Sequence, residues 1–423
     1  MNKVNKIKKI TALLFALTMG ASLVACGGSA PATTTSAPAG ETAAAVADNG
    51  TPPEQNNAPE SDDSFDLTTT KFEYAGPFSE GYAWVREPDS KTFYLIDKNG
   101  KKCCFVELDK APASQDGNAP TPIHDGACYA QTDSTHGKII DTQGNVLYTL
   151  PSEADNKERF CAEGDGYFLL ERHNGSFDSN SNGYVVVNKN GEDQTAVVDF
   201  EDKNVGYFRY LGDGVFTSDM YDLIDANNPA GLVAKPEDKA FSYSLGLDEE
   251  YIIPSKNGKM WITLKEDGQD SKGGMTLLDL HTFDYTIFDG SEYKSYGSYA
   301  VADHVYYDID GNKYDLNSYP HIDKVTGYSP ISEKGLIAIE LQGEDDDKYL
   351  AYVDTQGNEI AAPFKCAGSY GLSYDEDHYC VYENGTLTVY EPDGTQVMQT
   401  SADGNCESLG KDYVICDGKY YFF

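Results

Sequence analysis

The chain has 423 residues, with 32 lysines and arginines against 69 aspartates and glutamates, a formal net charge of −37. A surface of that sign repels nucleic acid and anionic lipid headgroups, which excludes a DNA or RNA binder working through a basic groove. Aromatic residues make up 12% of the chain and 31 of them are tyrosines, a composition suited to large pleated faces.

The first elements are not part of a fold. MNKVNKIKK carries four lysines and no acid, and ITALLFALTMGASLVA after it is apolar but short for a membrane span, which is the grammar of a secretory signal. The stretch closes on Leu23-Val24-Ala25-Cys26. This resembles the lipobox of bacterial lipoproteins. The resemblance implies lipid attachment at Cys26, cleavage before it, and a protein held on the extracytoplasmic face of the cell membrane, the membrane contact being made through acyl chains. Removing residues 1–25 leaves 28 basic against 69 acidic residues, a net charge of −41.

Residues 26–68 then read as a lipid-anchored linker. Rich in Ala, Thr, Ser, Pro and Gly and nearly free of large apolar side chains, they cannot offset their ordering entropy by burial. As a flexible coil this stretch spans roughly 35 Å.

From residue 69 to 423 one unit returns. YLIDKNG (94–100), KIIDTQG (138–144), VVVNKNG (185–191), VYYDIDG (305–311), AYVDTQG (351–357) and TVYEPDG (388–394) are each a strand running into a turn that closes on Gly. Such turns need positive φ at the glycine and join strands into hairpins. A strand opened by Gly precedes many of them: SEGYAWV, HDGACYA, GDGYFLL, GDGVFTS and EKGLIAI. LLDLHT (277–282) and MYDLIDANN (220–228) read as divergent copies. A period near 40 to 45 residues with three or four strands per unit predicts an all-β fold, a β-propeller-like repeat domain of about eight blades, with seven as the alternative count. A β-solenoid or an array of hairpins is the other arrangement of such units. GKDYVICDGKYYFF at the C-terminus supplies two strands, and TTTKFEYA near the start of the domain is a candidate to pair with them and close the ring.

FSEGYAWV followed by YLIDKNGK resembles the WG-repeat family, most fully at 77–102 and in both halves again at 333–360. The family's Trp-Gly dipeptide is absent, the two tryptophans being Trp84 and Trp261. The resemblance implies a repeat or binding module and adds no chemistry.

Catalytic spacing is missing. There is no His-x-x-x-His pair, no Gly-x-Ser-x-Gly elbow and no Gly-rich phosphate loop, so no catalytic residue is assigned and no organic cofactor is expected. Asp308, Asp310 and Asn312 make a faint candidate for Ca²⁺, although the glycine and distal glutamate of a calcium loop are missing and a plain hairpin turn explains the same residues. Eight cysteines follow Cys26. Of these Cys366 with Cys380, and Cys406 with Cys416, are close enough in sequence to bridge strands, while buried free thiols are the competing reading. Tyr370, Tyr374, Tyr379 and Tyr382 cluster with Asp375, Glu376 and Asp377, a pattern suited to sugar faces and hydroxyls or to plain blade packing. The leading expectation is a surface lipoprotein whose propeller binds an unknown protein or glycan without catalysis and without nucleic acid. An envelope assembly scaffold and a carbohydrate-active lyase or hydrolase are the two rivals.

Overall fold

The computed structural model describes residues 64–109, 118–132, 136–153, 156–173, 183–194, 198–199, 209–217, 223–226, 257–263, 274–282, 284–288, 293–343, 348–366, 372–374, 377–402 and 406–423. Cys26 and most of the linker lie outside them. The folded part is already under way at Ser64. Leu67 is buried and Phe65 packs against the same core.

The described residues form nine small antiparallel sheets, each built from strands consecutive in the chain. We number them as blades. Blade 1 runs from the strand Tyr74–Ala75 to Lys102–Glu107, blade 2 from Ala127–Gln131 to Val146–Thr149, and blade 3 from Ser152–Glu153 to Val198–Asp199. Blade 4 runs from Arg209–Gly212 to Leu223–Asp225, blade 5 from Lys259–Thr263 to Tyr285–Phe288, and blade 6 from Tyr293–Ser295 to Lys313–Asp315. Blade 7 runs from Val325–Tyr328 to Glu359–Cys366, blade 8 from Leu372–Tyr374 to Gln396–Ser401, and blade 9 from Cys406–Gly410 to Lys419–Phe422.

Blades bury faces against their neighbours, and blades 4 and 5 are joined through His281, which bonds Asp213 and Asp225. Trp84 and Leu95 meet Cys128 and Ile140. Ile139 meets Phe168 and Val187, and Leu169 meets Phe216. Trp261 meets Ala300 and Tyr307, and Tyr306 meets Ile337 and Ile339. Tyr352 meets Tyr379, and Val389 meets Val414. Finally Tyr413, Ile415 and Tyr420 of blade 9 meet Val85 and Ile96 of blade 1. The last contact returns to the first blade, which makes the array a closed ring, a β-propeller. Strands of neighbouring blades meet along one side: Asn156–Gly164 lies against Arg209–Gly212, and Leu372–Tyr374 against Cys406–Gly410. Last strands such as Gln396–Ser401 are the exposed rim.

The recurring Asp has a definite job. In blade 1, Asp97 Oδ1 accepts the N–H of Asn99 at 2.8 Å and of Lys101 at 3.0 Å, while Gly100 N–H closes on the Asp97 carbonyl at 2.9 Å. Asp141, Asn188, Asp308 and Asp354 make the same two side-chain bonds. The side chain satisfies amide groups that the reversal leaves without ladder partners. The glycine serves two needs. Gly191 has φ +78° and a Cβ there would sit 2.0 Å from the carbonyl oxygen of Leu147, on the outer strand of the preceding blade.

The count of nine exceeds the count of about eight read from the turns because blade 9 has no such turn. It contains three strands from the C-terminus, one more than expected, and its fourth place is filled from the N-terminal side. Gly100 (φ +79°) has the Phe65 carbonyl where Gly191 has Leu147. Phe72 N–H bonds the Gly418 carbonyl at 2.9 Å, as Leu150 bonds Gly137 and Ala402 bonds Gly385 at the ends of the outer strands of blades 2 and 8. Residues 65–72 thus close the ring at its seam, whereas Tyr74–Ala75 belongs to blade 1, paired with Tyr82–Arg86.

Candidate functional site

Strand direction alternates within a blade, so the first and third turns of each blade emerge on one face of the ring. On this face lie the turns Glu80-Gly81, Asp125-Gly126, Asp165-Gly166 and Asp213-Gly214, all with positive φ at both residues. Two consecutive left-handed residues define the turn that matches strand twist, and Asp tolerates that region better than most side chains.

These turn acids connect neighbouring blades. Glu80 accepts the N–H of Asp125 at 2.6 Å and of Gly126 at 2.9 Å. Asp165 accepts the Tyr210 hydroxyl and, at 3.2 Å, the N–H of Gly214. Lys189 reaches Asp125 at 3.3 Å, Lys98 reaches Asp412 at 2.6 Å, and Lys334 reaches Asp377 at 3.7 Å. His281 sits between Asp225 (Nδ1, 2.8 Å) and Asp213 (Nε2, 2.9 Å) and joins blades 4 and 5. Burial pulls its pKa down, but the two aspartates outweigh it and leave it above the ordinary histidine range. Glu333 and Asp310, on the same face, are exposed. The face is therefore a rim of carboxylates, partly engaged between blades and partly presented to solvent.

The sugar-binding candidates are placed differently. Tyr379 is buried, with its ring stacked on Phe364 at 3.9 Å and on Tyr390 at 5.0 Å. Tyr374 donates its hydroxyl to Glu340 Oε1 at 2.8 Å, an inter-blade bond from blade 8 to blade 7, and burial raises its pKa. Tyr382 packs against the core shared by blades 8 and 9. Tyr370 and Asp375 lie outside the described residues. The described tyrosines of this segment are thus engaged in blade packing.

At the Ca²⁺ candidate, Asp308 Oδ1 is occupied by the amides of Asp310 and Asn312, and Oδ2 accepts Asn312 Nδ2 and the Tyr314 hydroxyl, each at 2.8 Å. This is the turn bonding of Asp141 and Asp354 with one tyrosine added. Among the described residues no group of three or more His, Cys, Asp or Glu side chains is placed to hold a metal ion.

One acid lies deeper. Glu163, at the end of the first long strand of blade 3, accepts the Thr121 hydroxyl at 2.7 Å and lies 3.9 Å from His124 Nε2. Burial pushes its pKa up to about 8, so it exchanges its proton near neutrality, and burial lowers that of His124.

No family model matches the chain, and no curated protein matches it. Solved structures do. The Dos1 propeller is similar at 12% identity over 84% of this chain and 92% of that one, with a TM-score of 0.38. A computationally designed protein, Ika8, is similar at 12% identity over 85% and 98%, with a TM-score of 0.38. BamB from Moraxella catarrhalis is similar at 10% identity over 82% of each chain, with a TM-score of 0.30.

The acid rim was visible as a pattern before the structure: an acid precedes Gly in SEGY, HDGA, GDGY and GDGV. Its meaning was not, because an Asp-Gly pair reads first as turn chemistry. Only the ring places Glu80 and Asp165 against the following blade's amides, and Asp125 and Asp213 against Lys189 and His281 of the following blades. Glu163 carries no local signal, since nothing in CAEGDG distinguishes this acid, whose side chain is 9% exposed, from its exposed neighbour Asp165.

Proposed function

We propose that this protein is a lipid-anchored protein of the extracytoplasmic membrane face whose propeller binds a basic protein partner without catalysis. The anchoring part rests on Leu23-Val24-Ala25-Cys26 after its apolar stretch. The observation that carries the binding part is the rim of turn carboxylates on one face, against tyrosines of blade 8 that are engaged internally and leave no described aromatic platform for a sugar. A rim of one sign steers a partner of the opposite sign and makes association depend on salt.

The test uses the full chain with lysozyme as a basic probe and dextran as a neutral glycan, at low and high salt. Lysozyme binding that weakens as salt rises, and that falls again in a Glu333→Lys, Asp310→Lys variant, supports the reading. Those two side chains are exposed and stitch no blades in the bonds described above. Salt-indifferent binding of dextran overturns it in favour of a glycan site. A second reading, an envelope assembly scaffold, is favoured by Tyr285–Phe288, the edge strand of blade 5 among the described residues, where Tyr285 and Ile287 are exposed.

A further inference from the structure

Three cysteines meet where blade 8 packs on blade 9. Cys406 and Cys416 are direct partners across the first two strands of blade 9, and their sulfurs lie 3.3 Å apart. Cys380, on the second strand of blade 8, is buried in the same core and its side chain hydrogen-bonds that of Cys406. Cys406 thus stands between two thiols, one in its own blade and one in the neighbouring blade. We infer that Cys406 is the shared end of a reversible disulfide, with Cys416 as its partner in the oxidised protein and Cys380 as the alternative partner.

Accessibility assigns the order of events. Cys380 and Cys416 are fully buried, while Cys406 is only half-buried, so a reagent from solvent meets Cys406 first. Hydrogen bonds from Cys380 and Cys416 favour the Cys406 thiolate, which is the attacking species in disulfide chemistry. The hydrogen bond to Cys406 and then burial hold Cys416 as the thiol until the Cys406 charge is consumed.

The oxidant is itself a disulfide, R–S–S–R. Cys406 loses its proton and attacks one sulfur of R–S–S–R, forming a mixed disulfide and releasing R–S⁻. Cys416 then loses its proton and attacks the Cys406 sulfur, releasing the second R–S⁻. Two protein thiols become one disulfide, and the oxidant becomes two R–SH. The sulfurs must close from 3.3 Å to a bonded length of about 2.04 Å, a small movement for two residues already in register. A bulge between Cys406 and Ser408 lies at this point of the ladder.

The two outcomes differ mechanically. A Cys406–Cys416 bond ties one hairpin of blade 9, whereas a Cys380–Cys406 bond ties blade 8 to blade 9. Cys104 and Cys128 offer a contrast: both are fully buried, and burial raises both thiols.

The sequence makes the test direct. No Lys or Arg occurs from Cys366 until Lys411, so trypsin leaves 366–411 as one peptide and 412–419 as the next. A Cys406–Cys416 bond joins the two peptides, while a Cys380–Cys406 bond closes a loop inside the first and lowers its mass by two hydrogens. The full chain is equilibrated with graded mixtures of reduced and oxidised glutathione, alkylated, digested and read by mass spectrometry. The expected result is a joined pair that appears as the mixture becomes oxidising, disappears on reduction, persists in Cys366→Ala and is lost in Cys406→Ala. In Cys416→Ala the internal loop takes its place. Complete alkylation of Cys406 and Cys416 in the unsubstituted chain at every mixture overturns the inference, and that readout depends on no variant folding. A joined pair of equal yield in Cys406→Ala overturns it as well.

Discussion

Replacing Phe72 by alanine tests the closure of the ring at one side chain. Phe72 is 1% exposed, packs edge-on to Phe65 at 5.0 Å and Tyr420 at 6.2 Å, and holds the Gly418 carbonyl through its own amide. The alanine keeps the amide bond and removes the ring, leaving a cavity between blades 9 and 1. A buried Phe to Ala change costs about 3–5 kcal/mol. A ring of about 360 residues, at about 2.1 cal/mol/K of unfolding entropy per residue, has a slope of about 0.75 kcal/mol per degree, so the midpoint falls by about 5 °C. The assay is thermal unfolding followed by circular dichroism, with Ile287→Ala as the control. Ile287 is 57% exposed on the outer rim and should shift stability by less than about 0.5 kcal/mol. If Phe72→Ala melted with the parent, residues 65–72 would be a decoration on blade 1 and the ring would be held shut by blade-to-blade packing alone.

Three further outcomes follow from charge and chemistry. Glu163 has a folded pKa of about 8, above its ordinary value of 4.5, so its contribution to stability is present below about pH 4.5 and is lost as pH rises toward 8. Taken at face value the shift is worth on the order of 3–5 kcal/mol, and Glu163→Gln should lose less stability than the parent between pH 5 and pH 9 in urea titrations; equal losses would remove the buried-acid account. His281 also has a raised folded pKa, so its link between blades 4 and 5 is fully present below the ordinary histidine range and fades as pH climbs through the folded value. His281→Ala should therefore cost on the order of 1 kcal/mol at pH 5.5 and little at pH 9, measured as the gap between parent and variant midpoints. Cys26→Ala should release the protein to the medium or leave it unprocessed, read by fractionation and intact mass, and normal processing with retained membrane association would end the lipoprotein reading.

The blade repeat was legible because its turn is a local object. Asp, two residues and Gly encode both the side-chain bonds and the positive φ, and LLDLHT, without the glycine, still has its Asp bonded to turn amides: Asp279 Oδ1 accepts the amides of His281 and Thr282. The ninth blade was illegible for the same reason, since its outer place is filled by residues more than 300 positions away in the chain. Tyrosine position was ambiguous in another way. In VYENG or HYCVY, a ring for a ligand and a ring for the next blade look alike, and only the stacking of Tyr379 between Phe364 and Tyr390 distinguishes them. The pairing of Cys406 with Cys416 was within reach of sequence, as spacing across one hairpin. The approach of Cys380 from another blade was not.

The seam gives the ring a preferred line of mechanical weakness. Ser64 and Phe65 are held by a bridge to Lys101 and an amide bond to Gly100, and Phe72 is held by the Gly418 carbonyl, with Lys71 beside Asp417. A pull on the chain ahead of Ser64 is therefore borne first by this short segment, which spans the last blade and the first. Under load the segment would peel away and expose the outer edge of blade 9 while the other eight blades stay packed. A tethered protein built this way would fail at its attachment point before its body, and would open an unpaired strand edge at the place where the strain arrives.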